Sequence, residues 1–506
     1  MKIGNGERRD RGRERIRRWV RVHVRRTQTR DLFYPICPAV VGPVAHPSVV
    51  LDSPRTVPDV VWLNGREVAL IEPRREGTRV HAAVSDPAAV VPGENVLSLP
   101  VDCDPARVAL ECGADDGARG AYGWGSQDSG RVLAQDENLS AAATFLLRSL
   151  SRDIFGDGAI SITAVDPGTA HGRLWSWYWT TAATYDALAR LAAAGLVACD
   201  LSELEAGFLA RQVLDGEQTR GSYFVRWDPD RTRPAGVIEW FAPNDAAYLG
   251  LHGLLPASAR TGDAVWSERI AMLADWIVGP GMRDGRLRVG WNGADARWDD
   301  SWHYIDAAWT PAFLLAASAH LGREDLAAAA EACADDTVAR FARPGPFLRK
   351  IWRADGRHTE TVFARGMGWV LEGWLPLLET GRAGRLRART GALLEGLLEA
   401  QDPDGFWPYL LDRPESGACN KGTPVLACHL NRAKRVFPEL GDRLEEGVVK
   451  ALAWCEARMD HDPASPTRGG IVHDNSEGAI TTVRAIPTAF NYGTAYYVFT
   501  RLERTP

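Results

Sequence analysis

Nowhere in the 506 residues is there an uninterrupted apolar stretch of the ~18 residues that a bilayer-crossing helix needs, so no membrane span is expected. The first residues also lack the apolar core of a secretory signal. Cysteine is sparse and scattered (Cys37, Cys103, Cys112, Cys199, Cys333, Cys419, Cys428 and Cys455), with no C-x-x-C pair and no zinc spacing. That pattern reads as mostly buried, reduced thiols and makes the cytoplasm the expected location. No phosphate-binding glycine loop and no metal-ligand motif occurs, so no cofactor is implied and no metal is expected. A formal net charge of −6 provides no global positive field for nucleic acid. The exception is a basic run from Arg8 to Arg30, interrupted by Asp10 and Glu14. Residues 1–30 are expected to be a disordered leader or the product of a misassigned start; the alternative is a tail for nucleic acid or a membrane surface.

What the chain does have is tryptophan, 19 residues in all, and a repeat. From about Glu137 to Arg501 one unit recurs six times at roughly sixty-residue spacing: helix, short turn, helix, long aromatic-rich loop. Twelve amphipathic helices are expected near 137–154, 174–194, 200–214, 243–257, 262–277, 302–321, 324–341, 363–380, 384–400, 419–436, 441–458 and 486–503. The even-numbered ones carry small residues and aromatics on several faces, as inner helices would; the others carry charged outer faces. This pattern predicts an (α/α)6 toroid, a mainly α six-hairpin barrel over residues 126–506. The turns leaving the inner helices are short. The loops entering them run to about twenty residues, a length usually reserved for function, so all six are expected on one rim, around the active site.

Residues 31–125 read as all-β, with short Val-rich runs broken by Pro, Gly and Asp. Val60-Val61-Trp62-Leu63 leads into Asn64-Gly65, a tight-hairpin signal. A small β-sandwich is expected there.

The rim loops hold the candidate chemistry. Asp245 begins one inner helix, and Asp306 lies in the next, among apolar neighbours where a lone carboxylate would cost several kcal/mol. Facing each other across a cleft, the two would push their pKa values apart, leaving one acid and one anion near neutral pH. Arg365 is the candidate clamp for an anionic group, since a guanidinium pairs bidentately with a carboxylate. His303 and His358 are candidates to orient substrate or tune Asp306. Trp177, Trp240 and Trp369 are candidates to stack on sugar faces, and Asn244 and Lys421 complete the substrate-binding set. For each residue a structural role is the competing reading: helix-dipole satisfaction for Asp245, a salt bridge for Arg365, packing for the tryptophans.

Two segments resemble glycoside hydrolase families 88 and 105, the unsaturated glucuronyl and rhamnogalacturonyl hydrolases. The segment HYIDAAWTPAFLL from residue 303 is similar to their catalytic helix and puts their general acid/base on Asp306. The segment FARGMGWVLEGW from residue 363 is similar to their Arg-Gly-x-Gly/Ala-Trp signature and puts Arg365 and Trp369 at the substrate. Asp245 fits the families' second Asp. In addition, WLNGREV and VPGENVLSL resemble the jelly-roll accessory domains of many glycoside hydrolases. Two departures stand out: Met367 replaces the polar residue usual after Arg-Gly, and Ala418 to Pro424 replaces a Ser-Gly-Thr segment and introduces Lys421.

The resemblance implies an oligosaccharide partner, anionic through a terminal 4,5-unsaturated uronic acid, and an enzyme that hydrates its enol ether. The alternatives are inverting hydrolysis of a saturated glycoside, with Glu239 or Asp299 as partner carboxylate, a catalytically silent sugar-binding protein, or a lyase or epimerase. The oligomeric state is not legible in the sequence.

Overall fold

The computed structural model describes residues 130–152, 179–211, 240–292 and 297–504 with few breaks (475–486 the longest), together with short strand segments elsewhere, chiefly between residues 25 and 113. Among the described residues there are twelve helices: α1 Glu137–Arg148, α2 Trp179–Ala193, α3 Ser202–Arg211, α4 243–261, α5 Ala264–Val278, α6 Thr310–Leu321, α7 Glu324–Phe341, α8 Ala364–Glu379, α9 Arg387–Ala400, α10 Gly422–Ala433, α11 Gly441–Glu456 and α12 Asn491–Arg504. None is long and apolar enough to cross a membrane.

Burial separates the helices into two rings. In α8, 13 of 16 residues are buried, and in α10, 11 of 12. In α7 only 7 of 18 are, and in α9 5 of 14. The even-numbered helices therefore line the interior. They pack in sequence, and α12 closes back on α2, where the Asn491 side-chain amide donates to Thr184 Oγ1 at 3.2 Å. The expected toroid is present.

Several helix starts differ from expectation. Residues 302–321 are not one helix. Trp302–Tyr304 is a strand paired antiparallel with Ile351–Arg353, a 3-10 turn follows at Ile305–Trp309, and α6 begins only at Thr310, with Pro311 in its first turn. Pro487–Phe490 is likewise a strand ahead of α12, and α1 ends at Arg148 before the strand Leu150–Arg152. Cross-strand pairing competes for these segments, and Pro311 cannot donate to a preceding helical turn.

Helix α4 carries a defect of a different kind. Its middle, Gly250–Leu254, is one π turn between two α segments. The extra residue lets Gly250 sit against α6, where a Cβ would lie 2.2 Å from the Phe313 ring.

In the N-terminal part, eight described strands pair in one antiparallel order. Val60–Leu63 and Arg66–Glu76 pair antiparallel in the register Leu63↔Arg66; the Asn64-Gly65 turn expected between them lies outside the described residues. Arg25–Arg26 pairs with Asp31 and Leu32 at one edge, and residues 1–24 lie outside the described part. Cys333, Cys428 and Cys455 are thiols buried in the helical core.

Candidate active site

A cleft of about 60 Å³ opens where α4, the Trp302–Tyr304 strand and the 3-10 turn converge, lined by Asn244, Asp245, Arg288, Trp302, His303, Tyr304 and Asp306, among others. Local sequence explains how the carboxylates reach it. Ala242 is extended and caps α4, Pro243 starts the first turn with a ready-made φ, and Asp245 falls in that turn near the positive end of the helix. Tyr304 is extended (φ −100°, ψ 150°) and caps the 3-10 turn, which places Asp306 beside its free N–H groups.

The two carboxyls interact, and their surroundings differ. Burial raises the Asp306 pKa to about 7, although Arg365, the N–H groups of Ala307 and Asp306 itself, and the Asn244 side chain all favour its anion. Asp245 is raised well above the carboxylate range by burial and then by the charge of Asp306. With no cation among its causes, Asp245 holds the more tightly bound proton, and Asp306 is the member poised to exchange one near neutral pH. Both side chains are partly open to the cleft.

Arg365, at the start of α8, is buried and lies over two rings, Phe363 and Trp369, each 4.9 Å from its guanidinium carbon. Trp369 is not an open stacking face: it is 3% exposed, donates from Nε1 to Tyr492 Oη at 2.8 Å, and packs on Trp309. Asn244 is buried, and its carbonyl accepts from Trp309 Nε1 at 2.6 Å, tying α4 to the turn that carries Asp306.

His303 lines the cleft, but burial and then the charge of Arg340 push its pKa down to about 2, so it is a neutral ring. His358 is not among the lining residues; its Nδ1 accepts from Arg353 N–H at 3.1 Å and its ring stacks on Trp352. Lys421 is buried away from the cleft lining, with Nζ 4.2 Å from the Phe490 ring centre. Trp240 pairs through its backbone with Asn292, but its side chain and the whole of Trp177 lie outside the described residues, as do Glu239 and the Asp299 side chain.

Two cleft residues, Arg288 and Tyr304, escaped the sequence reading. Arg288 lines the cleft, pairs with Asp300 at 2.9 Å and lies 4.4 Å from the Trp298 ring centre. Tyr304 forms part of the wall, and Lys350 stands behind it. The one available signal was the pair of three-residue runs Trp302–Tyr304 and Ile351–Arg353, too short for a period-2 pattern to register. Among the described residues, no group of three His, Cys, Asp or Glu side chains is gathered as metal ligands would be.

A closed ring of six helical hairpins, with two carboxyls at the mouth of adjacent inner helices, defines the class of fold: an (α/α)6 toroid. Solved structures place the fold more narrowly. The unsaturated glucuronyl hydrolase of Bacillus sp. GL1, described as responsible for glycosaminoglycan degradation, superposes with a TM-score of 0.54 at 15% identity, covering 73% of this chain and 96% of that one. An unsaturated glucuronyl hydrolase specific for heparin gives 0.52 at 17%, covering 72% and 95%. That of Streptococcus agalactiae gives 0.53 at 13%, covering 74% and 93%. At such identities the likeness is one of fold. No family model matches the sequence, and no curated protein does.

Proposed function

We propose that the chain is a glycoside hydrolase that removes a 4,5-unsaturated uronic acid from the non-reducing end of an oligosaccharide by hydrating its enol ether. The observation that carries this reading is the Asp306–Asp245 pair: one carboxyl poised near neutrality beside a cation, the other holding its proton. Hydration needs a single group able to give a proton and take one back. Protonated Asp306 delivers its proton to C4 of the enol ether, and positive charge develops at C5. The resulting Asp306 carboxylate accepts a proton from a water as that water's oxygen bonds to C5. The hemiketal then opens and releases the remaining sugar, so Asp306 ends protonated again.

Arg365 pairs with the uronate in this reading, and protonated Asp245 donates a hydrogen bond to a sugar oxygen. The solved hydrolases of the same fold, named for unsaturated glucuronyl substrates, support the substrate class. Residues 126–506 then form the catalytic domain, and 31–125 an accessory β-sandwich.

Loss of enol-ether ultraviolet absorbance from unsaturated uronyl disaccharides tests the proposal. Decay with the wild type and none with Asp306→Asn is the expected result. No decay with any disaccharide, from folded protein, overturns it and points to a saturated glycoside or a silent binder.

A further inference from the structure

His303 and Arg340 meet at one indole, and each buries a polar atom that has no partner. His303 lies in the strand Trp302–Tyr304, opposite Trp352 in the register, with its ring centre 6.0 Å from that of Trp352. Arg340, in the last turn of α7, holds its guanidinium carbon 4.9 Å from the Trp352 ring centre. Its Nε donates to Asp336 Oδ1 at 2.9 Å. Arg340 Nη1 and His303 Nε2 are buried without a hydrogen-bond partner among the described residues. The first can only donate, whereas the second can accept if it carries no proton.

Arg340 also acts on His303 through space: after burial, its charge is what keeps the imidazole neutral. A neutral imidazole has one N–H, and its surroundings choose which nitrogen bears it. A proton on Nε2 would bury a second unpaired donor beside a cation that already has one, which is costly. A proton on Nδ1 leaves the Nε2 lone pair in the positive field of Arg340, where it is favoured. Nδ1 is then the donor left for a ligand. His303 retains 3% exposure, and the opening it lines is the cleft that holds Asp245 and Asp306.

We propose that Arg340 is a positioning residue that fixes His303 in its Nδ1–H form, so that His303 offers a neutral hydrogen-bond donor to a sugar oxygen in the cleft. The inference rests on the hydrolase reading above for its ligand and deepens it. Such a donor orients the sugar and does not compete with Asp306 for the proton that the reaction moves. The other charges around Arg340 are Asp336, Arg286 and Asp300; none of them is a cause of the shift at His303.

Nitrogen NMR of protein isotopically labelled in histidine reads the tautomer directly, with the His303 signals identified by their loss in His303→Asn. Wild type is expected to show Nδ1 protonated and Nε2 bare on both sides of neutral pH. Arg340→Met removes the charge and the donors while leaving Asp336 to Arg286, 3.9 Å away. It should shift the ring toward the Nε2–H form that free histidine favours, and Arg340→Lys should not. Binding of an unsaturated uronyl disaccharide is measured by calorimetry in an Asp306→Asn background, and KM in the active enzyme. Both should rise about fivefold in His303→Gln, whose amide stands where Nε2 was, the worth of one neutral hydrogen bond. The rise should be smaller in His303→Asn, whose amide lies near Nδ1, and Arg340→Met should weaken binding more than Arg340→Lys. An Nε2–H or charged ring in the wild type, an unmoved tautomer in Arg340→Met, or equal losses in the Asn and Gln variants overturns the proposal. The expected tautomers and order of Kd without any turnover support it and count against the hydrolase reading instead.

Discussion

The raised pKa of Asp306 ties the stability of the fold to pH. Its folded pKa, about 7, lies above the ordinary carboxyl value of 3.8, so the folded state binds the extra proton, and the stability this contributes is lost as pH rises from near 4 through about 7. Asp306→Asn is therefore expected to melt higher than the wild type at pH 8 and no higher at pH 4, as calorimetry would read. The same variant should lose turnover by roughly 10²–10⁴, the usual worth of a general acid/base. A variant less stable at pH 8, with turnover intact, would remove Asp306 from the mechanism. Because the acid must start protonated, kcat/KM should fall as pH rises through about 7. Arg365 favours the anion of Asp306, so Arg365→Gln should move that fall to higher pH while raising KM; a limb that stays put would leave Arg365 as a packing residue. Sequence alone marks Asp306 because an isolated carboxylate in an apolar stretch needs a reason. It cannot divide the roles within the pair, since that depends on Arg365 and Asn244 reaching Asp306 from two other helices.

Helix α8, besides carrying Arg365, packs two glycines against the turn that bears Asp306. Gly366 and Gly373 lie two turns apart on it and face the turn that bears Asp306. A Cβ on Gly366 would fall 2.6 Å from Ile305 Cγ2, and one on Gly373 only 1.9 Å from the carbonyl oxygen of Ala308. The second contact is with backbone, which cannot rotate aside. Gly373→Ala must therefore displace the turn at 305–309, at a cost of about 1–3 kcal/mol in stability. Its kcat should drop by more than the unfolded fraction explains, as turnover per folded molecule, measured beside a melting curve, would reveal. Unchanged kcat per folded molecule would mean that the turn is not held by α8. In the sequence these glycines fall within a helical pattern with nothing to show what lies opposite. The helices themselves were legible from their 3.6-residue periodicity, and α7 follows it to the residue. The start of α6 was not, although Pro311 marks it, because the competing partner of Trp302–Tyr304 lies some fifty residues away. The π turn in α4 leaves no mark in the apolar pattern at all.

Across the whole molecule the inner ring is joined by a buried polar network beneath the cleft. His252, in the π turn of α4, sits between Asp186 of α2 (Nδ1 to Oδ2, 2.7 Å) and Glu372 of α8 (Nε2 to Oε1, 2.8 Å). Tyr496 of α12 donates to the same Glu372 oxygen at 2.7 Å, and its hydroxyl lies 2.8 Å from that of Tyr248 on α4. Arg190 pairs with Asp186 at 2.8 Å, and His429 of α10, pushed down to about 4 by burial, stays neutral nearby. The two carboxylates raise the His252 pKa to about 9 against the cost of burial, and His252 helps hold both of theirs below the usual range. The network's contribution is thus fully present only between the ordinary carboxylate range and about pH 6.5, and it fails on each side for a different reason. Below the window Asp186 and Glu372 take up protons; above it His252 loses its own, and that share of stability is gone once pH passes about 9. This limb lies higher than the one Asp306 contributes, so in an Asp306→Asn background the melting temperature should still fall between pH 7 and 9. Adding His252→Gln should reduce that fall to the share that buried Asp245 still contributes and, by leaving two carboxylates buried without their shared cation, cost about 3–5 kcal/mol near pH 6. A melting profile with the same alkaline slope after both substitutions would show that the ring is closed by packing alone. The six-fold repeat makes the closed ring readable in the sequence. The network is not, because its directly bonded partners lie up to 248 positions apart and each, taken singly, is an ordinary polar residue on a helix.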